Sequence, residues 1–173
     1  MIPAASQNAV PAPAHERRDD IGRLVAVTWH GAGAGGDGDI AGGRWLIALD
    51  GSECSMRTLA TAIQRAALGP DREVDLVHVQ PWLVKEAAQT ELPRRGWAAT
   101  AQARGMLDAA SVRWRLHVVM GEAAPEIASL ADALGSCAIA IGSHGLTAAE
   151  SMLLGSVAYK VVHLAKLPVL IVR

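Results

Sequence analysis

The chain has no phenylalanine, one tyrosine and five tryptophans among its 173 residues. About half of it is hydrophobic, with alanine by far the commonest residue, so a core must draw on small side chains that let helices approach a sheet closely. Cysteine is scarce. Cys54 and Cys137 stand far apart without the spacing of a metal site, which reads as reduced thiols in a cytoplasmic protein. Excess charge is lacking too: the net value is −1, which gives no reason to expect nucleic acid or an anionic membrane as a partner. No apolar run approaches the length of a membrane helix, and Met1 to Ala14 has neither the basic start nor the apolar centre of a signal peptide. Catalytic signatures are missing as well. The sequence contains no P-loop, because no lysine precedes Ser156, and no recognisable Ser/His/Asp arrangement. Phosphoryl transfer needs a placed nucleophile or water and compensation of charge. No residues stand out for either, so turnover is not expected.

The most informative stretch runs from Ala138 to Ser156. Ala138 to Ile141 is a short apolar run that reads as a buried strand, and it stops at Gly142. Gly145 follows three residues later, then Gly155 and Ser156, after which Val157, Val161, Val162 and Leu164 recur at helical spacing. Strand, glycine-bearing loop and helix start follow in order. In that arrangement free backbone N–H groups and the helix dipole favour an anion. Gly142 and Gly145 allow close approach of a ligand, and Ser156 offers a hydroxyl at the N-cap. Glycines placed for turn geometry alone would give the same pattern.

The rest of the chain alternates strands and helices. Trp45 to Leu49 suits a central parallel strand, and Ser52 caps a helix whose apolar residues run from Met56 to Ala67 before Gly69-Pro70. Further strands are expected over Val74–Val79, Trp114–Met120, Ala138–Ile141 and from Pro168. Helices are expected over about 95–110, after Pro125, and from Ser156 to about Lys166, with Pro81 to Pro93 as a loop. Residues 1–43 read as a largely flexible extension, alanine- and proline-rich and then charged, with a short strand at Leu24–Trp29. Gly31-Ala-Gly-Ala-Gly-Gly36 matches the dinucleotide fingerprint by letter. It lacks the helix that must follow, and a linker is the better reading.

Several segments together resemble the universal stress protein family. Gly142-x2-Gly145-x9-Gly155-Ser156 is similar to its nucleotide-binding signature, and Trp45-Leu-Ile-Ala-Leu-Asp-Gly-Ser52 to its first strand and Asp-containing end. Glu73 to Val79, Gly121 to Ile127 and Leu167 to Arg173 resemble its second strand, the lead-in to its third helix and its last strand. The resemblance covers residues 44–173, taken as the domain. It implies an α/β fold of the Rossmann-like, adenine-nucleotide alpha-hydrolase type: five parallel strands in the order 3-2-1-4-5, with helices on both faces. Ligands would then sit at the switch point beyond strands 1 and 4.

The resemblance also implies site residues. In members that bind ATP, the residue matching Asp50 lies at the nucleotide, and those matching Ala48 and Val79 flank adenine; here Asp50 can equally cap the next helix or bind Ser52. Ile141, Gly142, Gly145, Gly155, Ser156 and the backbone of Val157 complete the expected set, with His144 reaching phosphate or merely solvated. His78 reads as a packed histidine. Cys54 is either a thiol of lowered pKa or a buried inert one. Many family members carry basic residues between the second and third glycines, whereas Leu146 to Leu154 has none and contains Glu150. The implied ligand is ATP, ADP or AMP, with magnesium as an accompanying ion. The implied role is nucleotide-dependent regulation of a partner protein in stress response, with homodimerisation through residues 168–172. A dimeric interaction module that binds no nucleotide, or a slow ATPase, are the alternatives.

Overall fold

A computed structural model describes residues 9–34, 43–66, 73–145 and 154–173. Seven strands form one sheet: β1 (His15–Arg18), β2 (Leu24–His30), β3 (Trp45–Ala48), β4 (Glu73–Gln80), β5 (Arg113–Met120), β6 (Ala138–Gly142) and β7 (Val169–Val172). Their spatial order is β1-β2-β5-β4-β3-β6-β7. The pairs from β5 to β7 are parallel, while β2 runs antiparallel to both β1 and β5. The expected five parallel strands are therefore present in the expected order. The expectation of a five-stranded, wholly parallel sheet is corrected to a mixed sheet of seven.

The correction originates at the amino terminus. Leu24, Val25, Val27 and Trp29 are buried, so β2 belongs to the core and is not a loosely attached edge. Trp29 packs against Trp97 with ring centroids 5.2 Å apart, and its indole N–H donates to the Pro11 carbonyl at 2.9 Å. His15–Arg18, within the segment read as loose, forms β1 with all four residues exposed. Gly31 has a packing reason unrelated to dinucleotides. A Cβ there would stand 2.6 Å from the Trp114 indole, so glycine lets that ring lie against the backbone.

Helices cover both faces. One face carries α1 (Glu53–Ala66), α2 (Lys85–Ala99) and α3 (Ala101–Ala109), through Leu59, Ala62, Ala88, Leu92, Ala103 and Leu107. The other carries α4 (Ala123–Ala133) and α5 (Ser156–Leu164), through Ala124, Ile127, Ala131, Ala158 and Val161. Alternation along β3 divides the two cores: Ile47 and Leu49 face the first set, Leu46 and Ala48 the second. Close approach through small residues is plainest at Gly96, where a Cβ would stand 2.4 Å from Val118.

Two expected boundaries move, and a third is not described. Helix α2 occupies most of the stretch read as the Pro81–Pro93 loop and carries Pro93 inside it. Helix α5 ends at Leu164, short of Lys166. The stop at Gly69-Pro70 lies outside the described residues.

On the α4/α5 face, a polar cluster joins the added strand to the parallel sheet. Asp75 accepts two bonds from Arg115, at 2.7 and 2.9 Å, and a third from His117 Nε2 at 3.1 Å. His117 Nδ1 meets the Thr28 hydroxyl of β2 at 3.2 Å. All three charged or ionisable side chains are buried, which the completeness of the bonding makes tolerable.

Candidate functional site

β3 and β6 lie side by side, and their chains leave in opposite directions, to α1 on one face and to α5 on the other. A crevice opens beyond their carboxyl ends, as expected at a switch point in an α/β sheet. It encloses about 260 Å³. Ala48, Asp50, Val79, Ile141, Gly142, His144, Gly145, Gly155, Ser156 and Val157, drawn from four segments of the sequence, all line it.

One wall is apolar. Val77 and Val79 project from alternate positions of β4, Ala48 and Ile141 come from the two central strands, and Ile127 from α4. Facing it is the polar rim. The Asp50 carboxylate accepts from the Ser52 backbone N–H at 2.9 Å and from the Ser52 hydroxyl at 2.6 Å, both on Oδ1. Ser52 in turn caps α1, its Oγ accepting from the Ser55 N–H at 3.1 Å. Asp50 thus does two jobs that sequence reading leaves as alternatives: it steadies the cap through Oδ1 and lines the crevice.

The glycines are placed by close contacts. A Cβ on Gly142 would stand 2.9 Å from Cys54 Sγ and 3.3 Å from the Cys54 backbone carbon, so β6 ends directly against the start of α1. On Gly145 it would stand 2.8 Å from Asp50 Oδ2, and on Gly155 it would stand 3.0 Å from the Ser143 carbonyl oxygen. The Gly155 N–H donates to that same carbonyl at 2.7 Å, which ties the start of α5 back to the loop. The N-cap is Gly155 and not Ser156, and no side chain caps the helix. The first intrahelical bond runs from the Tyr159 N–H to the Gly155 carbonyl at 2.9 Å. The N–H groups of Ser156, Val157 and Ala158 therefore have no acceptor within the helix, and all three residues line the crevice. This end can hold an anion.

Beneath the loop lies a short polar chain. Ser143 N–H donates to the Val172 carbonyl at 2.7 Å, and its hydroxyl meets His144 Nδ1 at 2.9 Å. Burial pushes the Cys54 thiol up, but the His144 backbone N–H and the Ser143 donors outweigh it, leaving the thiol below its ordinary range. The thiol is buried and donates to the Val172 carbonyl at 3.3 Å. His78 is held below the usual imidazole range by burial, against the opposing bond to Leu49 and the charge of Asp50. Its Nδ1 donates to the Leu49 carbonyl at 3.0 Å, as suits a packed neutral histidine. Among the described residues, no group of three His, Cys, Asp or Glu is set to hold a metal. No helix of the described residues is long and apolar enough to cross a membrane.

Val77, Ile127 and Ser143 also line the crevice and escape the sequence reading. Val77 was recoverable from the period of two, since it shares a face with Val79. Ile127 belongs to the apolar stripe of α4, which gives no sign of which end reaches a ligand.

Known proteins share this architecture. The model of the universal stress protein family matches residues 43–173. The universal stress protein YxiE of Bacillus subtilis is 29% identical over 146 residues, covering 75% of this chain and 98% of that protein. Among solved structures, the hypothetical protein MJ0577 is 25% identical with a TM-score of 0.68, over 77% of this chain and 96% of its own. The universal stress protein of Archaeoglobus fulgidus in complex with dAMP has a TM-score of 0.61 at 22% identity, over 76% and 98% of the two chains. A family match spanning most of the chain, on a fold with this strand order, means that the chain belongs to the universal stress protein family.

Proposed function

We propose that the crevice binds an adenine nucleotide and that the domain is a regulatory protein whose contact with a partner depends on that nucleotide. The carrying observation is convergence: Asp50, the Gly142–Gly145 loop and the uncapped start of α5 surround one cavity with an apolar wall. The wall suits a base, and the free N–H groups suit a phosphate. Relatives of the same fold are described in complex with dAMP, cAMP and AMP, which supports the class of ligand. The role is that of a cytoplasmic stress-response regulator, and ATP or ADP with magnesium are the ligands to compare with AMP. The chain forms a homodimer through the apolar edge of β7, where Val169, Leu170 and Val172 are half-buried and Ile171 is exposed. The second reading, a dimeric interaction module without nucleotide, draws on the absence of Lys and Arg between Gly145 and Gly155.

Thermal unfolding with and without ATP, ADP and AMP, each with magnesium, tests the reading. Ligand that binds the folded state raises the midpoint by mass action. The rise should vanish in Gly142→Val, whose side chain would collide with Cys54, and shrink in Asp50→Ala. No shift with any nucleotide in the wild-type protein would favour the interaction module.

A further inference from the structure

We infer that Lys160 and Glu122 form an exchangeable ion pair at the rim of the crevice: when an adenine nucleotide binds, the Lys160 ammonium leaves the Glu122 carboxylate for the ligand's phosphate. This rests on the adenine-nucleotide reading above and names a phosphate-binding residue for it. Two helices of one face begin at the crevice. Ala123 opens α4 and Ser156 opens α5, and both line the cavity together with Val157 and Ala158. Glu122 is the N-cap of α4, and Lys160 lies one turn into α5, where its Nζ donates to Glu122 Oε1 at 2.5 Å. Side chains on a helix lean toward its N-terminus, so the Lys160 stem runs back over the turn that holds Ser156 and Val157. Its bond to Glu122, the neighbour of Ala123, agrees with that direction. Among the described residues that line the cavity, none is lysine or arginine. Arg57 of α1 donates instead to the Arg173 carbonyl at 3.2 Å, beyond the end of β7.

The exchange costs little and favours the ligand. The Lys160 and Glu122 side chains are 56% and 63% exposed, and a solvated pair of this kind contributes little to stability. A phosphate monoester carries a charge of about −1.5 to −2, more than a carboxylate, so it competes well for the ammonium. At the uncapped start of α5 that phosphate meets only about half a positive charge from the helix, which leaves attraction for a further cation. Glu122 is not stranded by the change. It stays in water at the start of α4, where the helix dipole favours a carboxylate and no side chain caps the helix.

Isothermal titration of the full chain with AMP, and with adenosine as the ligand without phosphate, tests the exchange in the wild-type protein, Lys160→Gln and Glu122→Gln. Lys160→Gln should weaken AMP binding by about tenfold, the loss of one charge-assisted bond. Glu122→Gln should tighten it by about threefold, because the competing carboxylate is gone. Adenosine should bind all three proteins alike. An AMP affinity unchanged in either variant overturns the exchange. So does an affinity lowered in both, since the intact pair would then only brace the two helices, or an equal loss of adenosine and AMP in Lys160→Gln. In each of these cases the nucleotide reading stands, because the wild-type protein binds AMP. Binding of neither ligand by the wild-type protein overturns both.

Discussion

Asp50 and Gly145 are locked against each other across the mouth of the crevice, with carboxylate oxygen Oδ2 where a Cβ on Gly145 would need to be. The carboxylate has little room to retreat, because Oδ1 is held by two bonds from Ser52. Gly145→Ala should therefore shift the loop or break the Asp50–Ser52 contact. Nucleotide affinity should fall by about tenfold, or about 1.4 kcal/mol. Calorimetric titration checks this, and an unchanged affinity would mean that loop and carboxylate do not jointly hold the ligand.

The Asp75 carboxylate makes the fold sensitive to acid. Burial pushes it up, but the bonds from His117 and Arg115 outweigh that and hold it below its ordinary 3.8. A carboxyl group depressed in the folded state stabilises fully above its unfolded value and loses that contribution as pH falls through the folded one. The urea midpoint should thus be insensitive to pH near neutrality, where the Asp75 contribution is complete, and decline below about pH 4. Asp75→Asn should cost about 3–5 kcal/mol at pH 7, since it leaves Arg115 buried without its anion, and should flatten the acid limb.

Strand β2 should prove indispensable to stability. Trp29 is buried against Trp97 and fixes the segment before β1 through Pro11. Trp29→Ala should cost about 3–5 kcal/mol in denaturant unfolding. A loss within a few tenths would show that β2 contributes little to the core.

Ile171 is the exposed residue of β7. If this edge pairs two chains, Ile171→Lys should convert a dimer to a monomer by light scattering while the thermal midpoint of the monomer holds. A wild-type monomer at micromolar concentration would remove the edge from consideration.

The parallel half of the sheet was legible because its strands are uninterrupted apolar runs such as Trp45–Leu49 and Ala138–Ile141, each followed by a turn signal. The crevice was legible because its glycines, Asp50 and the start of α5 are marked by residue type. The added strands were not. Leu24–His30 reads as a strand by itself, but nothing local states that it pairs antiparallel with β5, where Trp29 lies opposite Leu116 and Ala26 opposite Val119; that partnership is supported by the Trp29–Trp97 contact and the Thr28–His117 bond. Helix α2 was obscured by Pro93 and by a weak apolar stripe, its position being set by Gly96 against Val118. The cap of α5 was misplaced by one residue because a serine beside a glycine is the stronger local signal, whereas Gly155 is fixed by its distant bond to Ser143.

The two borders of the sheet are chemically opposite. β7 ends it with Val-Leu-Ile-Val, and β1 ends it with His-Glu-Arg-Arg, exposed throughout and with its register shifted between Arg17 and Arg18. Charge and irregularity resist the docking of a further strand on the β1 side. Two chains joined at β7 would present only β1 at either extremity. Association of this kind is self-limiting: it closes at two copies, and the N-terminal strands act as stoppers against fibre growth.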